Sequence, residues 1–309
     1  MREVDSGTRR HRLHVGASAT PLLQARALAR GRTRVRPRAP RGDRRIPSVL
    51  VTGASTGIGE ATARRLAARG WQVYASVRSP ADAPAGTNEL VFDVTDAEAV
   101  ARAAAGIERL DALVDHAGIA IAGPLEFLPP EELSRQLDVN VVGQLRVLQA
   151  FLPALREARG RVVLMGSIAG RSSLPFLGAY AMSKFALEAM ADALRVELAP
   201  WGMHVAIVEP GTIATPIWTK PQRSADALPA EARALYGERL EAFRRAAAER
   251  SSNRAAPVDT VADAVEHALT AAKPKTRYLV GPDAKRRACV QQLPDRARDR
   301  VLSRFLFGK

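Results

Sequence analysis

From residue 47 onward, short apolar runs alternate with longer stretches of helical character. Ser48-Val-Leu-Val-Thr52 is apolar, β-branched and too short for a helix, which predicts a buried strand. Gly59 to Arg69 is Ala-rich and reads as a helix, with Gly70 placed to close it in a left-handed cap. Gln72–Val77 and Glu89–Phe92 read as the second and third strands. Thr95/Asp96 caps a helix running to about Ala105, and Leu110–Asp115 follows as the fourth strand. Glu131–Arg156 reads as one long helix that opens beside Pro130 and kinks or breaks at Pro153. Gly160–Met165 is a fifth strand, Leu177–Ala199 a helix, Met203–Val208 a sixth strand and Arg277–Val280 a seventh. Strands separated by helices predict an α/β fold, a doubly wound and mostly parallel sheet with helices on both faces. Such sheets bind ligands beyond the carboxyl ends of their strands.

The coherent pattern spans 47–283 without an internal linker or repeat, which predicts a single domain there. Hydrophobic residues at 47% and charged residues at 25% fit an ordinary globular protein. The net charge of +14 suggests nucleic acid until it is mapped along the chain. Residues 1–46 carry +10 and residues 284–309 carry +6, so the stretch between them is near neutral. Residues 1–46 are rich in Arg, Pro and Gly without periodicity, and read as a disordered extension. A nucleic-acid arm or a transit peptide is the functional alternative, but no aromatic residues interleave the arginines as a stacking platform needs. Residues 284–309 read as a basic amphipathic tail, with Val301/Phe305 and Leu302/Leu306 at i,i+4 spacing. This tail suits either an anionic membrane surface, as a peripheral contact, or docking on its own domain or a sister subunit. No apolar run approaches the length of a spanning helix. The one cysteine, Cys289, excludes an intrachain disulfide and points to a reducing, cytoplasmic setting.

Three constellations carry chemistry. Tyr180 and Lys184 lie four apart on a predicted helix and share one face, so the ammonium can stabilise a phenolate. Gly53, Gly57 and Gly59 punctuate the turn after the first strand, where glycine allows positive φ and a backbone close to a pyrophosphate. Ser167 follows the fifth strand, where a hydroxyl can donate to a developing oxyanion. All three sets follow strand ends or helix starts that a doubly wound sheet turns toward one cleft.

Thr52–Gly59, Asn140, Gly166-Ser167, Tyr180-x-x-x-Lys184 and Pro210-Gly211, in this order, resemble the short-chain dehydrogenase/reductase family over about 47–283. The resemblance implies a Rossmann-like fold and hydride transfer between a nicotinamide and a carbonyl or alcohol. It implies Tyr180 as catalytic acid/base, Lys184 on the nicotinamide ribose, Ser167 orienting the substrate oxygen, and Asn140 holding a water that links the lysine to solvent. It places the cofactor on Gly53, Ser55, Thr56, Gly57, Ile58 and Gly59. Arg78, Asp93, Val94, Ala117, Gly118, Pro210, Gly211 and Thr212 extend that site, which Tyr180 and Lys184 complete. Phe176, Ile217 and Trp218 join Ser167 and Tyr180 in contact with substrate. No spacing supports a metal, and His116 has no partner ligand.

Arg78 ends the second strand where an NAD site would carry an acid, so NADP(H) is expected over NAD(H). The loops around Leu174-Pro-Phe176-Leu177, Ile213 and Ile217-Trp218 are apolar, which suits a lipophilic ketone, aldehyde or alcohol. Residues 219–256 read as a flexible lead into a charged helix, a candidate lid. The resemblance also implies a homodimer or homotetramer through the helices at 131–156 and 177–199. Where the family has Asn-Asn-Ala-Gly, this chain has Asp115-His116-Ala117-Gly118. The Asp lacks an amide donor, so one structural hydrogen bond is lost or requires a protonated carboxyl, and His116 crowds the path expected for the adenosine ribose. That departure keeps open a second reading, a nucleotide-binding sensor or scaffold with impaired turnover.

Overall fold

The computed structural model describes residues 45–215, 217 and 228–308, without the side chains of 252–254. Residues 1–44, Trp218 and the segment 219–227 lie outside the described residues, and so do the readings made on them. Ile46–Lys309 forms one compact unit.

Seven strands make one sheet in the order β3-β2-β1-β4-β5-β6-β7, and all six pairings are parallel. They are β1 (Ser48–Val51), β2 (Gln72–Val77), β3 (Asn88–Val91), β4 (Ala112–Asp115), β5 (Arg161–Met165), β6 (His204–Pro210) and β7 (Arg277–Val280). The period-2 geometry of a strand divides each run between two cores. Val49 and Val51 face one layer with Ala112, Val114, Val163 and Met165. Leu50 faces the other with Leu113, Val162 and Leu164. Both faces are covered, which is why the strands read as continuous apolar runs.

Helices α1 (Gly57–Ala68) and α7 (Val258–Thr270) cover the first face through Leu66, Val261 and Val265. Helices α2 (Ala97–Ala105), α4 (Gly143–Ala158) and α5 (Gly178–Glu197) cover the second through Val100, Phe151 and Leu187. Asp96 caps α2 by accepting the Ala99 N–H at 2.9 Å, while Thr95 turns back to Asp93. Gly70 takes φ +83° just past α1, as the cap reading requires.

One helix prediction is corrected. The stretch expected to be one helix is split into α3 (Pro130–Leu137), a single π turn at Asp138–Val142, and α4. The irregularity sits at Asn140, and Pro153 is carried inside α4 without ending it. Three buried amides explain the position. Gln136 accepts the Ile121 N–H and donates to the Ile119 carbonyl, Asn140 does both with Ile119, and Gln144 donates to the Ala117 carbonyl. The extra residue in the turn lets side chains on successive turns follow the loop that leaves β4.

The C-terminal third adds α6 (Ala230–Arg254), α8 (Pro282–Val290) and α9 (Asp295–Phe307). Leu306 of α9 packs with Leu240 and Phe243 of α6 and with Leu174 and Phe176, a third apolar cluster apart from the sheet. Of the two pairs predicted on the tail, Leu302 and Leu306 face this cluster, while Val301 and Phe305 remain exposed. No described helix is long and apolar enough to cross a membrane.

Candidate active site

The strand order reverses between β1 and β4, and a cavity of about 1360 Å³ opens beyond their carboxyl ends. It runs from Arg78 and Asp93 at one end to Leu240 and Arg287 at the other.

At the first end, Gly53 and Gly57 both hold φ +63°, a region costly to any residue with a side chain. A Cβ on Gly53 would also come within 3.0 Å of the Ala117 Cα. Gly59 has a different duty: a Cβ there would lie 2.2 Å from the Gly53 carbonyl oxygen, so its hydrogen lets α1 fold back onto the turn. Gly59 accordingly shapes the turn and stays off the cavity wall, which Gly53, Ser55, Thr56, Gly57 and Ile58 form. The N-terminal turn of α1 faces the cavity with its backbone N–H groups and positive dipole end, a fit for a pyrophosphate.

His116 lies against this turn, its Nδ1 in the space that side chains on Gly53 and Gly59 would take. The ring is thus tucked beside the glycines, although it still lines the cavity. Asp115 is fully buried. It accepts a 2.8 Å bond from the Thr52 hydroxyl, which itself accepts the His116 and Ala117 N–H groups. Burial pushes the Asp115 carboxyl up to about 8, against the Thr52 bond and the Lys184 charge. It therefore carries its proton at neutral pH, but its buried Oδ2 meets no hydrogen-bond partner among the described residues, so the bond an amide would donate is lost.

Asp93 and Val94 line the same end. Burial would raise the Asp93 carboxyl, but the two bonds from Thr95 and the charges of Arg78 and Arg146 outweigh it and hold it low. Arg78 is exposed at the rim, where it can meet a phosphate. Ala117 and Gly118 form the wall next to it, backed by Gln144 and Asn140. Asn140 itself is off the cavity and fully buried. Its amide hydrogens go to the Ile119 carbonyl and the Ser183 hydroxyl, at 2.9 and 3.0 Å, so its side chain ties the β4 loop to α5.

At the middle of the cavity, Ser167 lies two residues past the end of β5, and Tyr180 and Lys184 lie on the first turns of α5. The Ser167 hydroxyl bonds the Tyr180 phenol, and both groups are nearly buried. Lys184 donates to the Met165 carbonyl at 2.7 Å and sits 5.7 Å from the Tyr180 ring centre. Burial brings Lys184 down to about 8, with Asp115 opposing. The electrostatics differ from the sequence expectation. Tyr180 is raised above a free phenol because burial dominates, and the groups that pull it down are Ser167 and Arg287 rather than Lys184. A phenol in that state is loaded with its proton at neutral pH and is ready to give it up to an oxyanion. Ile217 packs against Tyr180, and Phe176 closes the apolar end in a left-handed conformation, φ +65°, with its carbonyl held by the Gly123 N–H.

Pro210, Gly211 and Thr212 also line the cavity. Asp283, at the start of α8, accepts both the Thr212 N–H and its hydroxyl at 2.8 Å and fixes this loop. Asp283, Arg287, Gln136, Gln144 and the α6 pair Leu240/Phe243 were not identified from the sequence. Only Gln136 and Gln144 left a trace there, as polar residues four before and four after Asn140 in an otherwise apolar pattern. Among the described residues no cluster of His, Cys, Asp or Glu could hold a metal.

Comparisons with known proteins agree with this geometry. The short chain dehydrogenase family model matches residues 47–226. An NADPH-dependent 3-dehydrocapnine reductase of Ornithobacterium rhinotracheale is 37% identical over 282 residues, covering 83% of this chain and 96% of that protein. Retinol dehydrogenase 16 of Mus musculus is 36% identical over 258 residues, covering 77% of this chain and 81% of that protein. A solved short chain dehydrogenase from Burkholderia cenocepacia, in complex with NADP, superposes with a TM-score of 0.66 at 28% identity, covering 85% of this chain and 98% of that one. On the family model and these relatives, this chain belongs to the short-chain dehydrogenase family of oxidoreductases.

Proposed function

We propose that this protein reduces a lipophilic ketone or aldehyde to its alcohol, or runs the reverse reaction, with NADP(H) preferred over NAD(H). The observation that carries the reading is the bonded Ser167–Tyr180 hydroxyl pair, buried in the cavity that the glycine turn opens into. The bound nicotinamide would supply or take the hydride. Ser167 donates to the carbonyl oxygen and orients it. Tyr180 gives that oxygen its proton, which suits a phenol whose burial keeps it protonated. Lys184, anchored on the Met165 carbonyl, keeps further N–H donors for the nicotinamide ribose. Asn140 acts as a positioning residue, since its amide hydrogens are spent on protein groups. Gly53, Ser55, Thr56, Gly57 and Ile58 cradle the pyrophosphate, and Arg78 meets the 2′-phosphate. NADPH and NADP in the descriptions of two similar proteins support that preference. The reading takes residues 47–283 as the oxidoreductase domain. It also includes a cytoplasmic homodimer or homotetramer built on α4 and α5.

The test is NADPH oxidation with a panel of lipophilic ketones by the wild type and by Tyr180→Phe. Removing the proton donor should cut turnover roughly 10²- to 10⁴-fold while NADPH still binds. Equal turnover in the two proteins would remove Tyr180 from the reaction. NADPH binding with no turnover of any carbonyl would favour the sensor or scaffold reading instead, for which the Asp115-His116 departure is the motive.

A further inference from the structure

We infer that the far end of the cavity contains an anion-binding subsite, built on Arg287 with Arg250 beside it, for an acidic group on an otherwise apolar substrate. The inference rests on the reductase reading above and narrows its substrate class. Arg287 reaches the cavity from α8 and donates from Nη2 to the Ser172 carbonyl. Its Nε is buried and meets no hydrogen-bond acceptor among the described residues. A buried cation is costly unless something closes its charge. Asp283, one turn earlier on the same helix, attracts Arg287 without hydrogen-bonding its Nε: its Oδ2 accepts two bonds from Thr212, and its buried Oδ1 meets no donor among the described residues.

Cations such as Arg78 and Arg135 line the cavity elsewhere too, but its acids are confined to one end. The acids on its wall are Asp93 and Asp138, which both face toward Val94 at the nucleotide end. The other end carries Arg287, Arg250 and Arg244, with Lys184 between the two. Arg244 is held by Glu241 at 2.8 Å. The Arg250 guanidinium stacks over the Phe305 ring at 5.5 Å and repels Arg287. Burial first, opposed by Asp283, and then that repulsion bring Arg287 down to about 10, so it remains charged at neutral pH. An anion between the two guanidinium groups relieves both the burial and the repulsion.

The neighbours set the rest of the substrate. Leu174, Phe176, Leu240 and Phe243 surround this end and receive an apolar chain. Arg287 lines the same cavity as Tyr180 and acts electrostatically on its phenol, so one substrate can present its acid to the first and its carbonyl to the second. The substrate class is therefore an oxo compound with an apolar chain and a carboxylate or comparable acid. The 2′-phosphate of the cofactor is not the occupant, because Arg78 lies at the opposite end.

The experiment is calorimetric titration of the full chain, with and without saturating NADPH, using octanoate and its neutral counterpart octanamide. Octanoate should bind the NADPH complex about 10- to 100-fold more tightly, the range of one charge-assisted hydrogen bond. Arg287→Met should abolish the preference, Arg287→Lys should restore part of it, and NADPH affinity should be the same in both variants. Equal affinity for the two probes in the wild type overturns the subsite. So does a preference that survives Arg287→Met, or octanoate that competes with NADPH and so belongs to the cofactor site. If Arg287→Met does not fold, Arg287→Lys and Arg250→Met must each shrink the preference, and no change in either overturns the proposal. Reduction of neutral ketones, lost in Tyr180→Phe, is measured separately, so a failed subsite leaves the redox reading standing and the converse also holds.

Discussion

The two ends of the cavity are built by different means. The nucleotide end is backbone: glycine φ angles, the opening turn of α1, and strand ends of β1, β2 and β4 that neighbour one another in the sheet. The substrate end is side chains: Phe176, Leu240, Phe243, Arg250 and Arg287, delivered by α6, α8 and the loop before α5. Backbone geometry tolerates almost no substitution, whereas a cluster of side chains can be exchanged residue by residue. The first end should therefore fail all at once and the second in proportion to what is removed.

Gly59→Ala is the sharpest attack on that contrast. Its Cβ would meet the Gly53 carbonyl oxygen at 2.2 Å, and neither partner is a flexible side-chain tip. We expect NADPH affinity to fall on the order of 10³-fold, because the cradle and the helix start move together. Near-normal NADPH titration in a folded Gly59→Ala protein would show that the turn is softer than its geometry implies. Arg78→Asp should act more narrowly. The ratio of kcat/KM with NADPH to that with NADH should drop about 100-fold, since a phosphate-pairing guanidinium is replaced by a repelling carboxylate. An unchanged ratio would mean that Arg78 merely edges the rim.

At the other end, Leu306→Ala removes a buried side chain from the third apolar cluster. It should cost about 2 kcal/mol and raise KM for apolar substrates while leaving NADPH affinity alone. A parallel loss of NADPH binding would erase the distinction between the ends. The remaining expected effect concerns pH and leaves both ends of the cavity in place. The folded Asp115 carboxyl is raised from 3.8 to about 8, so the folded protein holds a proton there that the unfolded chain gives up. That contribution is fully present below about pH 4 and is lost as pH rises toward 8. Asp115→Asn should flatten the fall in Tm between pH 5 and pH 8. At pH 8 the variant should melt higher than the wild type, because its amide gives up no proton as pH rises. An identical pH slope in both proteins would show that the carboxyl ionises without penalty.

The sheet and the nucleotide end were legible in the sequence because they depend on local rules. Val49-Leu50-Val51 reads as a strand buried on both faces, and the spacing of Gly53, Gly57 and Gly59 has few uses besides a tight strand-to-helix turn. Tyr180 and Lys184 share a helix face by their spacing, and the family resemblance singles them out from other such pairs. The π turn at Asn140 was not legible, since it exists to bring Gln136, Asn140 and Gln144 into register with a loop that a linear reading cannot place. Pro153 drew attention as the expected break because proline is a strong local signal, yet surrounding packing carries α4 through it. Arg287 was hidden by composition. It stands beside Lys285 and Arg286 in a stretch whose overall basicity reads as part of an amphipathic tail, and only the path of α8 separates it from its neighbours. The boundary expected at residue 283 falls within α8, just after Asp283, whose bonds to Thr212 reach 71 residues back along the chain.

Those bonds have a practical consequence for anyone building chimeras within the family. The family model ends at residue 226, so the region that follows invites grafting from relatives as a means of changing selectivity. A graft that brings in a foreign α8 without an acid at position 283 would release the Pro210–Thr212 loop. The hybrid would then lose its grip on the dinucleotide at a place the donor segment never touches.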